Sequence, residues 1–268
     1  MDYFILLVVF VFGLMFGSFL NVVIFRLHTK DSIVKSRSKC LFCSHQLAWY
    51  DLFPVLSFLF LRGKCRYCKK KISWQYPLVE ITAGIISAVL FMQIFSACDL
   101  ATVSILRFIF LLFIFLSLVV IFVFDLKHYI IPDEVVFPAI GVSFLLLLIN
   151  TLSTTGLDID IFLDFLGAAM LVSGFFLFLI WITKGEGMGG GDVKLGFLMG
   201  MTLGLSKTFL ALFIAFVSGA IVGLVMIILR KKKMKSALPF GPFLILGLVI
   251  SYFWGSEIMA WYLGMLVY

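Results

Sequence analysis

Charge is what this sequence has least of. Only 13% of its 268 residues are Asp, Glu, Lys or Arg, against 63% hydrophobic residues and a mean hydropathy of +1.19. A soluble domain with that much apolar surface needs far more charge to cover it, so that class is excluded, and repeated apolar runs of about 20 residues point instead to a polytopic membrane protein. The N-terminus also lacks a basic stretch before its first apolar run and a small-residue cleavage site after it. That run is therefore expected to remain as a transmembrane helix and not to be removed as a signal peptide. No aromatic-interleaved platform accompanies the basic residues, which argues against a nucleic-acid partner.

The basic residues that are present lie in two places. Residues 26–76 hold Arg26, Lys30, Lys35, Arg37, Lys39, Arg62, Lys64, Arg66, Lys69, Lys70 and Lys71, and residues 230–235 hold Arg230, Lys231, Lys232, Lys233 and Lys235. By the positive-inside rule both segments are cytoplasmic, where they set topology and meet anionic lipid headgroups. The link at 150–160 carries Asp158 and Asp160 with no basic residue and reads as external. The pattern predicts an all-α bundle of about eight spans with both termini outside. Its divisions are a first transmembrane helix at 1–25, a cytoplasmic four-cysteine loop at 26–76, and a membrane-embedded helix bundle at 77–268. The sixth span, 193–205, is short, and Ser206 and Lys207 mark the outer turn after it.

Residues 185–194, Gly-Glu-Gly-Met-Gly-Gly-Gly-Asp-Val-Lys, are the one flexible, polar interruption of the apolar second half. Glycines in succession suit a backbone that unwinds, takes a positive φ or admits another chain closely. Gly189, Gly190 and Gly191 are read here as room for an extended substrate, with Lys194 beside them. Asp192 follows at once. It lies fifteen residues below Lys207, roughly 22 Å at 1.5 Å per residue, short of crossing a core of about 30 Å. Counting down from Arg107 puts Asp125 at a similar depth.

Acids in hydrocarbon face a partner or a wet cavity, and two close carboxylates share a proton, leaving one as base and one as acid. That equipment suits aspartic peptide hydrolysis. The bland readings are that Asp125 ends a helix, that Asp133 caps one, that Lys127, His128 and Lys194 are interfacial charges, and that Asp158, Asp160 and Asp164 form a solvated external face. Paired carboxylates also serve proton- or cation-coupled transport, but here the acids cluster on one side and the two halves show no similarity.

Cys40 and Cys43, then Cys65 and Cys68, form two CxxC pairs with the spacing of a structural zinc site. Four thiolates leave no open coordination position, so the metal would be structural; redox-active or unmetallated cysteines are the alternatives. The fifth, Cys98, reads as a small buried apolar residue.

Taken together, Gly17-Ser18-Phe19-Leu20-Asn21-Val22-Val23, both CxxC pairs, Ser73-Trp74-Gln75-Tyr76-Pro77-Leu78-Val79-Glu80, Asp125 with Pro132-Asp133, and residues 187–194 resemble the bacterial prepilin peptidases over nearly the whole chain. The resemblance implies a membrane aspartyl protease of the Gly-x-Gly-Asp type in the bacterial cytoplasmic membrane, with Asp125 and Asp192 as the catalytic pair. Its substrates would be prepilins or pseudopilins, cut at the cytoplasmic face after a glycine. It further implies N-methylation of the new terminus with S-adenosylmethionine, to which Gly63 and Lys64 match linked positions. General intramembrane proteolysis by the same acid motif is the alternative within that chemistry.

Overall fold

The computed structural model describes residues 3–29, 32, 38–95, 102–153, 158–185, 188–229 and 238–266. Cys98 and the basic run at 230–235 lie outside them. The long regular elements of the described residues are all helices, with no strand among them: α1 (Tyr3–Thr29), α2 (Leu56–Phe60), α3 (Gln75–Phe95), α4 (Thr102–His128), α5 (Asp133–Ser153), α6 (Ile159–Ile182), α7 (Gly190–Ile228) and α8 (Gly241–Leu266). All but α2 are long and apolar enough to cross a membrane. Large apolar side chains such as Phe12, Phe19, Leu163, Phe213 and Leu224 are exposed on them, as lipid-facing surfaces require. The chain fits a multi-pass membrane protein. It divides into two compact units, Met1–Val120 and Ile121–Tyr268, with the boundary inside α4.

In the first unit, α1 and α3 approach closely because small residues line their contact. A methyl group at Gly13 would stand 2.7 Å from the Gly84 α-carbon, and one at Gly17 2.5 Å from the Glu80 α-carbon. Apolar burial between helices gains little in lipid, so close backbone packing and hydrogen bonds hold such pairs. Asn21 supplies the bonds: its Nδ2 donates to the Tyr76 carbonyl (3.1 Å) and its Oδ1 accepts from Gln75 Nε2 (3.3 Å).

In the second unit, α7 packs on α5, α6 and α8. A single 39-residue helix is far longer than a bilayer needs, and Gly204, at φ 71° and ψ 176°, breaks it. Gly196 before the break lies against Phe176, while Phe216 after it meets Phe175 edge-on at 6.2 Å. Twenty residues of unbroken helix would part positions 196 and 216 by about 30 Å. Both instead meet neighbouring residues of α6, so α7 is two antiparallel spans, and the seven long helices make the eight crossings expected from the sequence.

Two acids expected on a solvated external face have structural partners instead. Asp158 caps α6, accepting from the Ile161 amide (3.3 Å). Asp164 Oδ2 accepts from the Leu205 amide (3.2 Å), capping the helix that restarts after Gly204. A restarted helix has orphan amides at its first turn, and a carboxylate from the adjacent α6 satisfies one. Asp160 is exposed, as expected.

Candidate active site and metal site

Asp125 and Asp192 both belong to the second unit, and both are buried, 5% and 8% exposed. Asp125 lies in the last turn of α4, the negative end of a helix, which is a poor place for an anion. Its compensation comes from elsewhere. The backbone amide of Gly241, first residue of α8, is directed at the Asp125 carboxylate. A methyl group at position 241 would stand 2.5 Å from Asp125 Oδ2, so only glycine lets this amide come so near. Asp192 is the third residue of α7 and sits at the favourable, amide-rich end of its own helix. The Asp192 carboxylate lies within electrostatic reach of Asp125.

Ile131, buried in the turn between α4 and α5, separates the two helix starts. Its side chain lies 3.0 Å from where a Cβ at Gly191 would be and 3.5 Å from where one at Gly241 would be. Each acid thus has a glycine beside it that admits Ile131.

The three glycines before Asp192 differ from the unwound segment expected. Only Gly189 is extended, as the N-cap of α7 (φ −90°, ψ 156°); Gly190 and Gly191 are wound into its first turn. Of the uses a glycine can have, close approach applies to Gly191, whereas a side chain at Gly190 would meet open space. Asp133 is also more than a cap. It is the first residue of α5, and its Oδ1 accepts from Lys194 Nζ at 2.5 Å, while the ammonium lies 5.1 Å from the centre of the Phe137 ring. Lys194 therefore ties the start of α7 to the start of α5, a role the sequence reading of an interfacial charge missed. The signal was the i+2 spacing of Lys194 from the acid and the opposite charge at a second helix start.

The four paired cysteines meet in the first unit. Their sulfurs all lie within 4.8 Å of one another, with Cys40 and Cys68 at 3.9 Å. A tetrahedral metal with thiolates at about 2.3 Å sets its sulfurs about 3.8 Å apart, so the cluster fits zinc. Two matching turns build it. Cys40 N–H donates to the His45 carbonyl and Ser44 N–H to that of Cys40; Cys65 N–H donates to the Lys70 carbonyl and Lys69 N–H to that of Cys65. Ser44 and Lys69, at equivalent places, take φ of 57° and 59°.

The thiols feel the crowding. Burial raises the Cys40 thiol, but the amides of Cys43 and Phe42 outweigh it and hold the group down at about 7. The His45 amide favours the Cys43 thiolate, yet desolvation and the neighbouring Cys40 and Cys68 push that thiol up to about 11. Four thiols this close cannot all ionise without a cation among them.

Gly63 takes φ 66°, and its bare α-carbon admits Phe58, whose ring tip is 3.1 Å from where a Cβ would lie. Lys64 pairs with Lys71 across the second cysteine turn.

Comparison with known proteins agrees with this layout. Residues 11–94 match the bacterial peptidase A24 N-terminal domain and residues 112–224 the type IV leader peptidase family. Among similar proteins are those of Pseudomonas putida (32% identity over 93% of this chain and 91% of that one) and Bacillus subtilis (32% over 96% and 98%). A third, from Legionella pneumophila, is 31% identical over 98% and 96%. All three are named prepilin leader peptidase/N-methyltransferase. No solved structure matches the chain significantly. Matched in both its N-terminal domain and its acid-bearing helices, and 32% identical to relatives along almost its whole length, the chain belongs to the type IV leader peptidase family.

Proposed function

We propose that this protein is a membrane aspartyl endopeptidase that removes the short basic leader of prepilins or pseudopilins at the cytoplasmic face of the bacterial cytoplasmic membrane, and that it methylates the new N-terminal amine. The observation that carries the first activity is the pair of buried aspartates, Asp125 in the last turn of α4 and Asp192 in the first turn of α7, within electrostatic reach of one another. Two such carboxylates share a proton at neutral pH: the ionised one draws a proton from a water as it attacks the scissile carbonyl, and the protonated one gives its proton to the carbonyl oxygen. Gly189, extended at the α7 N-cap, offers backbone for an extended substrate, and Lys194 with Asp133 holds the two helix starts beside it.

Residues 1–25 act as the first transmembrane helix, 26–76 as the cytoplasmic zinc loop and 77–268 as the peptidase bundle. Cys40, Cys43, Cys65 and Cys68 would hold zinc as a closed, structural site that fastens the loop. The names of the relatives support the second activity. S-Adenosylmethionine, when bound, supplies an electrophilic methyl on a positively charged sulfur. Gly63 would serve that activity by letting Phe58 lie under the turn, and Lys64 by holding the second cysteine turn. The purified protein incubated with a synthetic prepilin tests the proposal: mass spectrometry should find the leader released after its glycine and, with donor added, the mature peptide heavier by one methyl group.

A further inference from the structure

The stretch between the two CxxC pairs turns apolar side chains outward. Trp49–Leu52 makes a 3₁₀ turn, and α2 begins four residues after it. Trp49 is 74% exposed and Phe60 84%, and Phe53, Leu56 and Leu59 are exposed with them. Leu56, Leu59 and Phe60 stand at i, i+3 and i+4, on one face of α2. Phe58 points the other way: it is buried against Gly63, and its ring lies 4.9 Å from that of Trp74. The loop is thus packed through Phe58 alone on α2, and the outer face of that helix is left for something else. Exposed apolar patches of this kind meet either a protein or a membrane.

Depth decides between them. The Val55 amide, just before α2, donates to Glu80 Oε2 (2.7 Å). Glu80 lies five residues past Gln75, the first residue of α3, or about 8 Å along the helix. With 21 residues, α3 is about 31 Å long, no longer than a hydrocarbon core of about 30 Å requires, so Glu80 stands inside the membrane boundary. On α1, Gly17 packs against the same Glu80 α-carbon, nine residues before Arg26. The segment pinned to Glu80 is therefore held beside the first turns of α3, at a level where Phe19 and Leu78 are also exposed as lipid-facing side chains.

Its backbone suits that level. The amides of Leu56, Ser57, Leu59, Leu61 and Arg62 all find carbonyl acceptors within the segment, and that of Val55 has the carboxylate. Backbone groups near hydrocarbon need such partners because water does not supply them. Arg62 and Lys64, both exposed, come directly after α2, where cations suit anionic headgroups.

We propose that residues 49–60 form an interfacial anchor that seats the cysteine loop on the membrane. Trp49, Phe53, Leu56, Leu59 and Phe60 lie among the acyl chains, and Arg62 and Lys64 meet the headgroups of anionic phospholipid. Short segments with an apolar face and flanking basic residues lie in the plane of the interface in this way, with aromatic rings at its boundary. The leaflet is the cytoplasmic one on the reading of this loop given above; capture by lipid tests the anchor alone, whichever leaflet holds it.

The test uses the full-length protein with photoreactive benzoylphenylalanine in place of Phe60, reconstituted in vesicles of phosphatidylethanolamine with a minor share of phosphatidylglycerol. The same replacement at Phe213, exposed on α7, is the reference for a lipid-facing site. After irradiation, mass spectrometry is expected to find phospholipid adducts at both positions. At position 60 phosphatidylglycerol should be enriched about fivefold over its share of the vesicle, the factor that one surface cation contributes. Arg62→Gln with Lys64→Gln should return that ratio to the vesicle's own while lipid capture persists. Lipid adducts at 213 with none at 60 would overturn the inference, as would adducts at 60 formed only with a second copy of the protein. Unenriched phosphatidylglycerol at 60 would overturn the part given to Arg62 and Lys64.

Discussion

The backbone amide of Gly241 meets the Asp125 carboxylate, and no residue with a Cβ can stand where Gly241 does, because that atom would lie 2.5 Å from Asp125 Oδ2. The first residue of α8 thus sets the position of an acid on α4. Gly241→Ala is expected to lower the turnover number for prepilin cleavage at least about tenfold with KM little changed, as displacement of a reacting group by a fraction of an ångström does. Gly264→Ala, whose methyl group would meet open space, is the control and should keep wild-type rates. Steady-state kinetics on both variants checks this, and a wild-type turnover number in Gly241→Ala would remove the residue from the account.

The two glycines nearest Asp192 should separate. A side chain at Gly190 meets open space, whereas one at Gly191 meets Ile131. Gly190→Ala is expected to retain most cleavage, and Gly191→Leu to lose it through displacement of Ile131 and of the α7 start. Equal loss in the two variants would return the glycines to the role of an open substrate channel.

At the other end of that span, Gly204 has a positive φ and faces Asp164. Gly204→Ala combines backbone strain with a steric collision and should destabilise the protein by about 2 kcal/mol or more. Asp164→Ala removes a helix cap and should cost about 1 kcal/mol. Thermal unfolding in detergent reads both, and full stability in Gly204→Ala would mean that α7 tolerates another path between its two spans.

The Lys194–Asp133 pair is half exposed, with side chains 32% and 54% accessible. Solvent screening limits such a pair to about 1 kcal/mol or less. A double-mutant cycle with Lys194→Met and Asp133→Asn should give a coupling of that size in stability, falling as salt is raised. A coupling of several kcal/mol would mean that the pair is sealed from solvent.

The cysteine cluster should carry about one metal per chain, since four thiolates complete one tetrahedral site. Metal analysis of the purified protein is expected to find zinc, and Cys40→Ser or Cys65→Ser to lose it. Acidification should release it as well, because protons compete with the metal for the thiolates. Full zinc content in either variant would contradict a four-thiolate site.

Much of this arrangement is legible in the sequence because it is local. The spans follow from apolar run length, and the cysteine turns from CxxC spacing. That Asp125 and Asp192 lie at similar depth could be reached by counting helix rise from Arg107 and Lys207, and the two carboxylates are within electrostatic reach of one another. What escaped depends on tertiary neighbours. Gly241 is 116 residues from Asp125, and nothing in its own segment announces an acid. The glycines at 189–191 speak of backbone freedom but not of which neighbour comes close, so an unwound segment was expected where Gly190 and Gly191 are helical. Asp164 read as a solvated charge because the amide it caps belongs to Leu205, 41 residues further along the chain.

The central claim is that Asp125 and Asp192 act as one acid pair. Its most direct test is the rate of prepilin cleavage by purified Asp125→Ala and Asp192→Ala, each recovered from the membrane fraction at wild-type amounts. The account expects each substitution alone to abolish leader release, and the double variant to lose no more than either single one. Sustained cleavage by either single variant would contradict it.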